Sequence, residues 1–232
     1  MFTVSQIIKA TGGRLIQGNR GDKPMAISTD SRGLKPLEAF LALRGNHFDG
    51  YKFIPAALKS GASCIIAEKG ISGMKIPEGV AFIQVKDATL ALGDLARFKR
   101  GIFKKTLIAV TGSNGKTTVK DMISWVLSAN ARVLKNEGTK NNQVGLPQTL
   151  IQLKERDDFA VVEIGTNHFG EVDYLSAIAR PNIGVLTNIG PSHLEFLKNL
   201  RGVLKEKSGL LNNLSSPAIA LLNADDQYLR GL

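Results

Sequence analysis

Along the chain, short and almost wholly apolar runs alternate with longer stretches in which apolar residues recur every three to four positions. "TLIAVTG", "FAVVEIG", "IGVLTNIG" and "PAIALLN" are runs of the first kind, and with "ARVLKN" they predict strands. Between them, "GKTTVKDMISWVLSAN", "VGLPQTLIQL", "EVDYLSAIAR" and "LRGVLKEKSGLLNNL" predict helices. Apolar strands separated by amphipathic helices belong to a parallel sheet covered on both faces. In the front part, "SQIIKATGG" predicts a short helix stopped by Gly12-Gly13. "AISTDSRG", "AFLALRG", "SCIIAE" and "VAFIQV" predict strands there, and "YKFIPAALKSGA" and "ATLALGDLARFKRGIF" helices. The expected fold is α/β with two domains meeting near Phe103: a small α/β domain over 1–103, then a mostly parallel sheet flanked by helices over 104–232. The chain closes on "NADDQYLRGL", a strand and the start of something further, so the second domain is expected to be incomplete.

Composition narrows the class. A length of 232 residues allows one or two domains, and 43% hydrophobic residues supply a sizeable core. No apolar run approaches the ~20 residues of a membrane helix. "MFTVSQIIKATGG" lacks the basic start, apolar stretch and cleavage site of a secretory leader, so a cytosolic protein is expected. The lone Cys64, inside "SCIIAE", reads as a buried small hydrophobe and leaves no disulfide within the chain. The net charge of +10 raises nucleic-acid binding. The lysines are scattered, with no run longer than Lys104-Lys105, and aromatics are only 6%, which favours a small polyanion or a solvated basic surface instead.

The candidate chemistry centres on "TGSNGKTT", which follows an apolar strand and opens a helix, as a phosphate-binding loop does. Thr111, Gly112, Ser113, Asn114, Gly115, Lys116 and Thr117 make up the expected nucleotide site. The glycines permit a tight turn, the helix N-terminus attracts an anion, Lys116 would reach the outer phosphates and Thr117 would hold Mg²⁺. Val110 stands where the usual loop has its first glycine, so this is a variant. Later strands end in further polar residues: Asn141 and Asn142, then Glu163, Asn167 and His168, then Asn188, His193 and Glu195. Ligands of open parallel sheets sit at these carboxyl ends. A carboxylate within an apolar strand needs a partner, and for Glu163 that is either Mg²⁺ or a structural ion pair. His193 reads as a second metal contact or a helix cap, and Glu195 as a first-turn acid.

Together these segments resemble the Mur ligase family of peptidoglycan synthesis. The resemblance rests on "STDSRGLKPLEAFLALRGNHFDGYKFIPAALKSGA", "TGSNGKTTVKDM", "NNQVGLPQTL", "EIGTNHFGEV", "LTNIGPSHLEFLKNLRGVLKEKSGLL" and "LLNADD", in family order. It implies an ATP- and Mg²⁺-dependent ligase that activates a UDP-N-acetylmuramoyl-peptide carboxylate as an acyl phosphate and passes it to an amine. "EIGTNHFGE" and "NIGPSHLE" point to the member whose amine is D-alanyl-D-alanine, ahead of the tripeptide-forming sister. Alone, these 232 residues are expected to bind nucleotides weakly and catalyse little or nothing; a non-catalytic UDP-sugar- or nucleotide-binding module derived from such a ligase is the alternative. The resemblance makes Lys116, Glu163, His193 and Lys207 catalytic, with Thr117, Glu163, His193 and a CO₂-modified Lys207 as metal positions. Unmodified, Lys207 reads as a solvated helix lysine. Asp30, Ser31, Arg32, Asn46, His47, Phe48 and Asn142 are implied substrate contacts, although "TDSR" also suits a surface turn. A monomer that inserts in no membrane is implied. The family's A-K-G-E is here Glu206-Lys207-Ser208-Gly209, its Phe-Gly after "HLE" is Phe196-Leu197, and its third domain has no counterpart.

Overall fold

A computed structural model describes residues 1–45, 48–71 and 73–232, and all but the side chain of Phe48 among them. The chain forms two compact units, Met1–Leu95 and Ala96–Leu232.

In the first unit, α1 (Val4–Thr11) opens with a capping box between Thr3 and Gln6 and stops at Gly12, in the left-handed region. Then come β1 (Arg14–Gln17), β2 (Ile27–Ser28), β3 (Ala39–Leu41), and the small hairpin of β4 (Arg44–Gly45) and β5 (Phe48–Asp49). A 3₁₀ turn leads into α2 (Ile54–Lys59), followed by β6 (Cys64–Ala67) and β7 (Ala81–Gln84). The sheet order is β1-β7-β6-β3-β2, parallel except where β1 runs against β7. Phe40, Ile54, Ile65 and Phe82 form its core. Two expectations are corrected here. The strand β1, "RLIQ", was not expected, because its residues are only partly buried at a sheet edge and show no continuous apolar run. "AISTDSRG" yields only two strand residues, because the side chains of Ser28 and Asp30 turn the backbone at once.

The helix α3 (Ala88–Ile102) contains the division at Leu95/Ala96, and Phe103 lies just past its end. Arg100, buried near that end, donates to the carbonyls of Phe103, Ala179 and Arg180 and to Asn182 Oδ1. Asn182 Oδ1 also accepts the N–H of Leu107, which fixes the start of the central strand.

The second unit contains β8 (Thr106–Thr111), α4 (Lys116–Ser128), β9 (Val133–Lys135), α5 (Gly145–Leu150), β10 (Phe159–Glu163), α6 (Glu171–Ala179), β11 (Ile183–Leu186), α7 (Leu194–Leu197), α8 (Leu200–Ser208) and β12 (Ile219–Leu222). Its sheet order is β12-β11-β8-β10-β9, parallel throughout. Leu107, Ala109, Ala160 and Val162 are fully buried between helices, as apolar strands of a doubly covered sheet must be. The helix expected over "LRGVLKEKSGLLNNL" ends at Ser208 and resumes as a 3₁₀ turn; the break falls at Gly209, a poor helix former at a place where a Cβ would crowd the backbone of Asp173. The outer face of α4 leaves Met122, Trp125 and Val126 exposed. Among the described residues no helix is long and apolar enough to cross a membrane.

Because β8 is central, with β10 and β11 parallel to it on either side, the loops after β8, β10 and β11 meet at one carboxyl edge. That is where open α/β sheets bind ligands.

Candidate functional site

The loop after β8 has its shape from two glycines. Gly112 and Gly115 hold φ of +146° and +76°, and a Cβ on Gly112 would run into Thr187 Oγ1. No side chain caps α4, and among the described residues the N–H groups of Lys116 and Thr117 meet no acceptor. They form a donor pair at the positive end of a helix. Lys116 Nζ curls back over the loop to the carbonyls of Gly112 (2.9 Å) and Ser113 (3.1 Å). Ser113 and Asn114 are tied to the loop after β11: Ser113 exchanges hydrogen bonds with the backbone of Gly190, and Asn114 is held by Thr187 and Asn188. Thr111 is buried and donates to the carbonyl of Ile164, joining β8 to the end of β10.

Glu163, the last residue of β10, is 1% exposed. Its carboxylate accepts from Thr117 Oγ1 and Asn141 Nδ2, each at 2.6 Å. No cation pairs with it among the described residues, so the ion-pair alternative fails and neutral donors satisfy the buried charge. The hydroxyl and carboxylate oxygens here are hard donors suited to Mg²⁺. Among the described residues no cluster of three or more His, Cys, Asp or Glu forms a metal cage. Mg²⁺ does not require one, since phosphate oxygens and water usually complete its shell.

Beside this pair lies a cavity of about 200 Å³ lined by Lys116, Asn142, Thr166, His193 and Lys207, among others. His193 stands at the N-cap position of α7 with φ +51°, yet its side chain caps nothing. Glu195 falls in the first turn of α7 and is exposed, as a first-turn acid. Asn142 accepts the N–H groups of Val144 and Gly145, so it shapes the entry to α5 as well as lining the cavity. Lys207 is 1% exposed, which rules out the solvated-lysine reading. Burial, and then the charge of Lys116, push its ammonium down to about 8 against a weaker opposing effect of Glu206.

Sequence reasoning passed over Glu206, noting it only as a departure from the family pattern. Its buried carboxylate accepts from Gly170 N (2.6 Å), Val172 N (2.8 Å) and Thr166 Oγ1 (3.0 Å), so it caps α6 and seats α8, which carries Lys207. Glu171 was also passed over. Burial raises its pKa, but hydrogen bonds from Asn167 N and His168 N outweigh that and hold the carboxyl below its usual range. His168 rests on Glu171 and on the ring of Phe196. An acid at the first position of a predicted helix was the available signal for Glu171.

In the first unit, Asp30, Ser31 and Arg32 line a second cavity, of about 400 Å³, with Thr29, Phe40 and Phe53. Asp30 takes the Arg32 guanidinium in two hydrogen bonds (2.7 and 2.9 Å) as well as the Arg32 N–H. The side-chain bond from Arg32 holds its carboxyl down at about 2. "TDSR" is therefore both a local turn and a cavity wall. Asn46 and His47 lie outside the described residues, as does the side chain of Phe48.

Comparison with known proteins agrees with this layout. Residues 110–232 match the Mur ligase middle domain and residues 25–100 match the Mur ligase family catalytic domain. The UDP-N-acetylmuramoyl-tripeptide–D-alanyl-D-alanine ligase of Haemophilus influenzae is 35% identical over 97% of this chain and 49% of its own. The crystal structure of MurF from Acinetobacter baumannii superposes with a TM-score of 0.90 at 33% identity, over 99% of this chain and 50% of that one. MurF from Thermotoga maritima, solved in complex with ADP, gives 0.80 at 32% identity, over 90% and 48%. The chain spans about half the length of the curated relatives it matches. With both units matched in order and the middle-domain match alone covering more than half its residues, the chain belongs to the Mur ligase family.

Proposed function

We propose that this chain is the UDP-substrate-binding and ATP-binding part of a ligase that joins UDP-N-acetylmuramoyl-tripeptide to D-alanyl-D-alanine in peptidoglycan precursor synthesis. The observation that carries the reading is the 2.6 Å contact between Thr117 and Glu163 beside the loop after β8. A helix hydroxyl and a buried strand-end carboxylate meet there, next to a lysine and two free backbone donors. In this reading the N–H groups of Lys116 and Thr117 bind the triphosphate, and Lys116 Nζ turns from the loop carbonyls to its outer oxygens. Thr117 and Glu163 would hold Mg²⁺, which would supply charge neutralisation at the phosphates. The peptide carboxylate attacks the γ-phosphorus, the bond from that phosphorus to the β,γ-bridging oxygen breaks, and ADP leaves as the acyl phosphate forms. His193 and Lys207 line the same cavity as Lys116, where the acyl phosphate would meet the amine. Lys207, as an N-carboxylated side chain, would offer an anionic oxygen in place of a repelling ammonium. The cavity bounded by Asp30, Ser31 and Arg32 takes part of the UDP moiety. The same reading makes the protein cytosolic and monomeric.

Binding to the 232-residue chain tests this. ATP binding that Lys116→Ala weakens about tenfold or more, the loss of one charge-assisted contact, together with a preference for UDP-N-acetylmuramoyl-tripeptide over UMP, supports it. Absent ATP binding, or equal binding of the two uridine compounds, overturns it. Tighter binding of UDP-N-acetylmuramoyl-tripeptide than of the UDP-linked dipeptide separates the proposed member from its sister.

A further inference from the structure

The strand β9 ends at Lys135, paired with Val161, while β10 continues to Glu163. On the β8 side the ladder goes on: Glu163 pairs with Val110 and Ile164 N donates to the Val110 carbonyl. On the β9 side no strand remains to meet Glu163, and Asn136 takes its place. Asn136 Oδ1 accepts the Glu163 N–H at 2.9 Å and Nδ2 donates to the Glu163 carbonyl at 3.1 Å. A side-chain amide thus acts as one more peptide group of the missing strand, which only a residue with both a donor and an acceptor can do. The second Nδ2 hydrogen goes to the Lys140 carbonyl, and Asn136 is wholly buried. Its own carbonyl accepts Lys120 Nζ at 2.9 Å, from a lysine that is 1% exposed. Lys120 stands three residues after Thr117 on the same face of α4. The contacts close into a ring: Thr117 to Glu163, Glu163 to Asn136, Asn136 to Lys120, and back along α4.

We propose that Asn136, anchored by Lys120, is the positioning residue for Glu163. It fixes the carboxylate at the depth along β10 where it faces the first turn of α4. The inference rests on the reading of Thr117 and Glu163 as the Mg²⁺ position and adds the two residues that set their separation. Neither touches the ligand. Without the ring, the backbone of the last residue of β10 is held on the β8 side only, and the carboxylate, still tied to Asn141, loses its fixed depth against Thr117.

The test is calorimetric titration of ADP into the chain, with Mg²⁺ and with a chelator. The ratio of the two dissociation constants measures the metal response. Glu163→Gln should abolish that response. Asn136→Ala should lower it about tenfold, the usual scale for partners that orient a metal ligand, and leave metal-free ADP affinity within about twofold. Lys120→Met should act in the same direction to a smaller extent, and it carries the test if Asn136→Ala does not fold. An unchanged metal response in both variants overturns the proposal. So does an equal loss of affinity with and without Mg²⁺, which would mark a general packing role. A Glu163→Gln protein that keeps its metal response, or an unaltered chain that binds no ADP, defeats the underlying reading and takes the inference with it.

Discussion

Asp30 and Glu163 are carboxylates held in opposite ways. Asp30 is exposed and satisfied within its own turn, by a guanidinium two residues away. Glu163 is buried and satisfied by a hydroxyl from the first turn of α4 and an amide from the loop before α5, with no cation against it among the described residues. The exposed arrangement forms locally and is screened by water and salt, so it contributes little to stability. The buried arrangement exists only when the second unit has folded, and each lost partner leaves a desolvated group behind. A site that must receive a metal and an anion gains from the second type, because neutral donors fix the carboxylate without cancelling its charge.

The sharpest test of this contrast is Glu206, the other buried carboxylate satisfied by neutral donors, with no ion pair within 4 Å among the described residues. Glu206→Ala would leave Gly170 N, Val172 N and Thr166 Oγ1 without their acceptor, and we expect a loss of about 3 kcal/mol in urea unfolding. A loss below about 1 kcal/mol would break the distinction between the two types. Next comes the loop that brings the partners together. Gly112→Ala places a Cβ at φ +146° against Thr187, and we expect a loss of about 2 kcal/mol together with failure to bind ADP.

These two substitutions bear on what a reader of the sequence could and could not see. The loop, α4 and the strands β8, β10 and β11 are local patterns of period and glycine placement, and they were legible. The first-unit turn at Asp30 was legible for the same reason. The contacts that define the buried site were not, since Asn136 and Lys120 acquire meaning only when β9 stops short of β10. A lysine one turn after Thr117, in a helix facing a buried sheet, was the one sequence signal for that ring. Glu206 hid behind a family pattern with its acid elsewhere, and the edge strand β1 hid behind its partial burial.

Two smaller effects complete the series. Cys64 is fully buried in β6, and burial, with a lesser push from Asp22, raises its thiol to about 12. At pH 8 roughly one molecule in ten thousand carries the thiolate, so a disulfide reagent should react with Cys64 only at the rate of unfolding. Prompt reaction would show that the first unit opens locally. Asp30→Asn should have the smallest effect, shifting the melting midpoint by no more than about 1 °C. The sign of its pH dependence is fixed. A carboxyl depressed to about 2 stabilises fully above its unfolded value near 3.8, and that contribution fades as pH falls through 2. An NMR titration should place the Asp30 midpoint near 2 in low salt and higher in about 1 M salt, as screening weakens the Arg32 contact.

The exposed face of α4 has a practical bearing on all of these measurements. Trp125, the chain's single tryptophan, is 80% exposed on it. Its indole already sits in water in the native state, so its emission wavelength should shift little when the chain melts. Circular dichroism is the better optical reporter of unfolding, and the indole is left as a quiet label on the helix that carries Thr117.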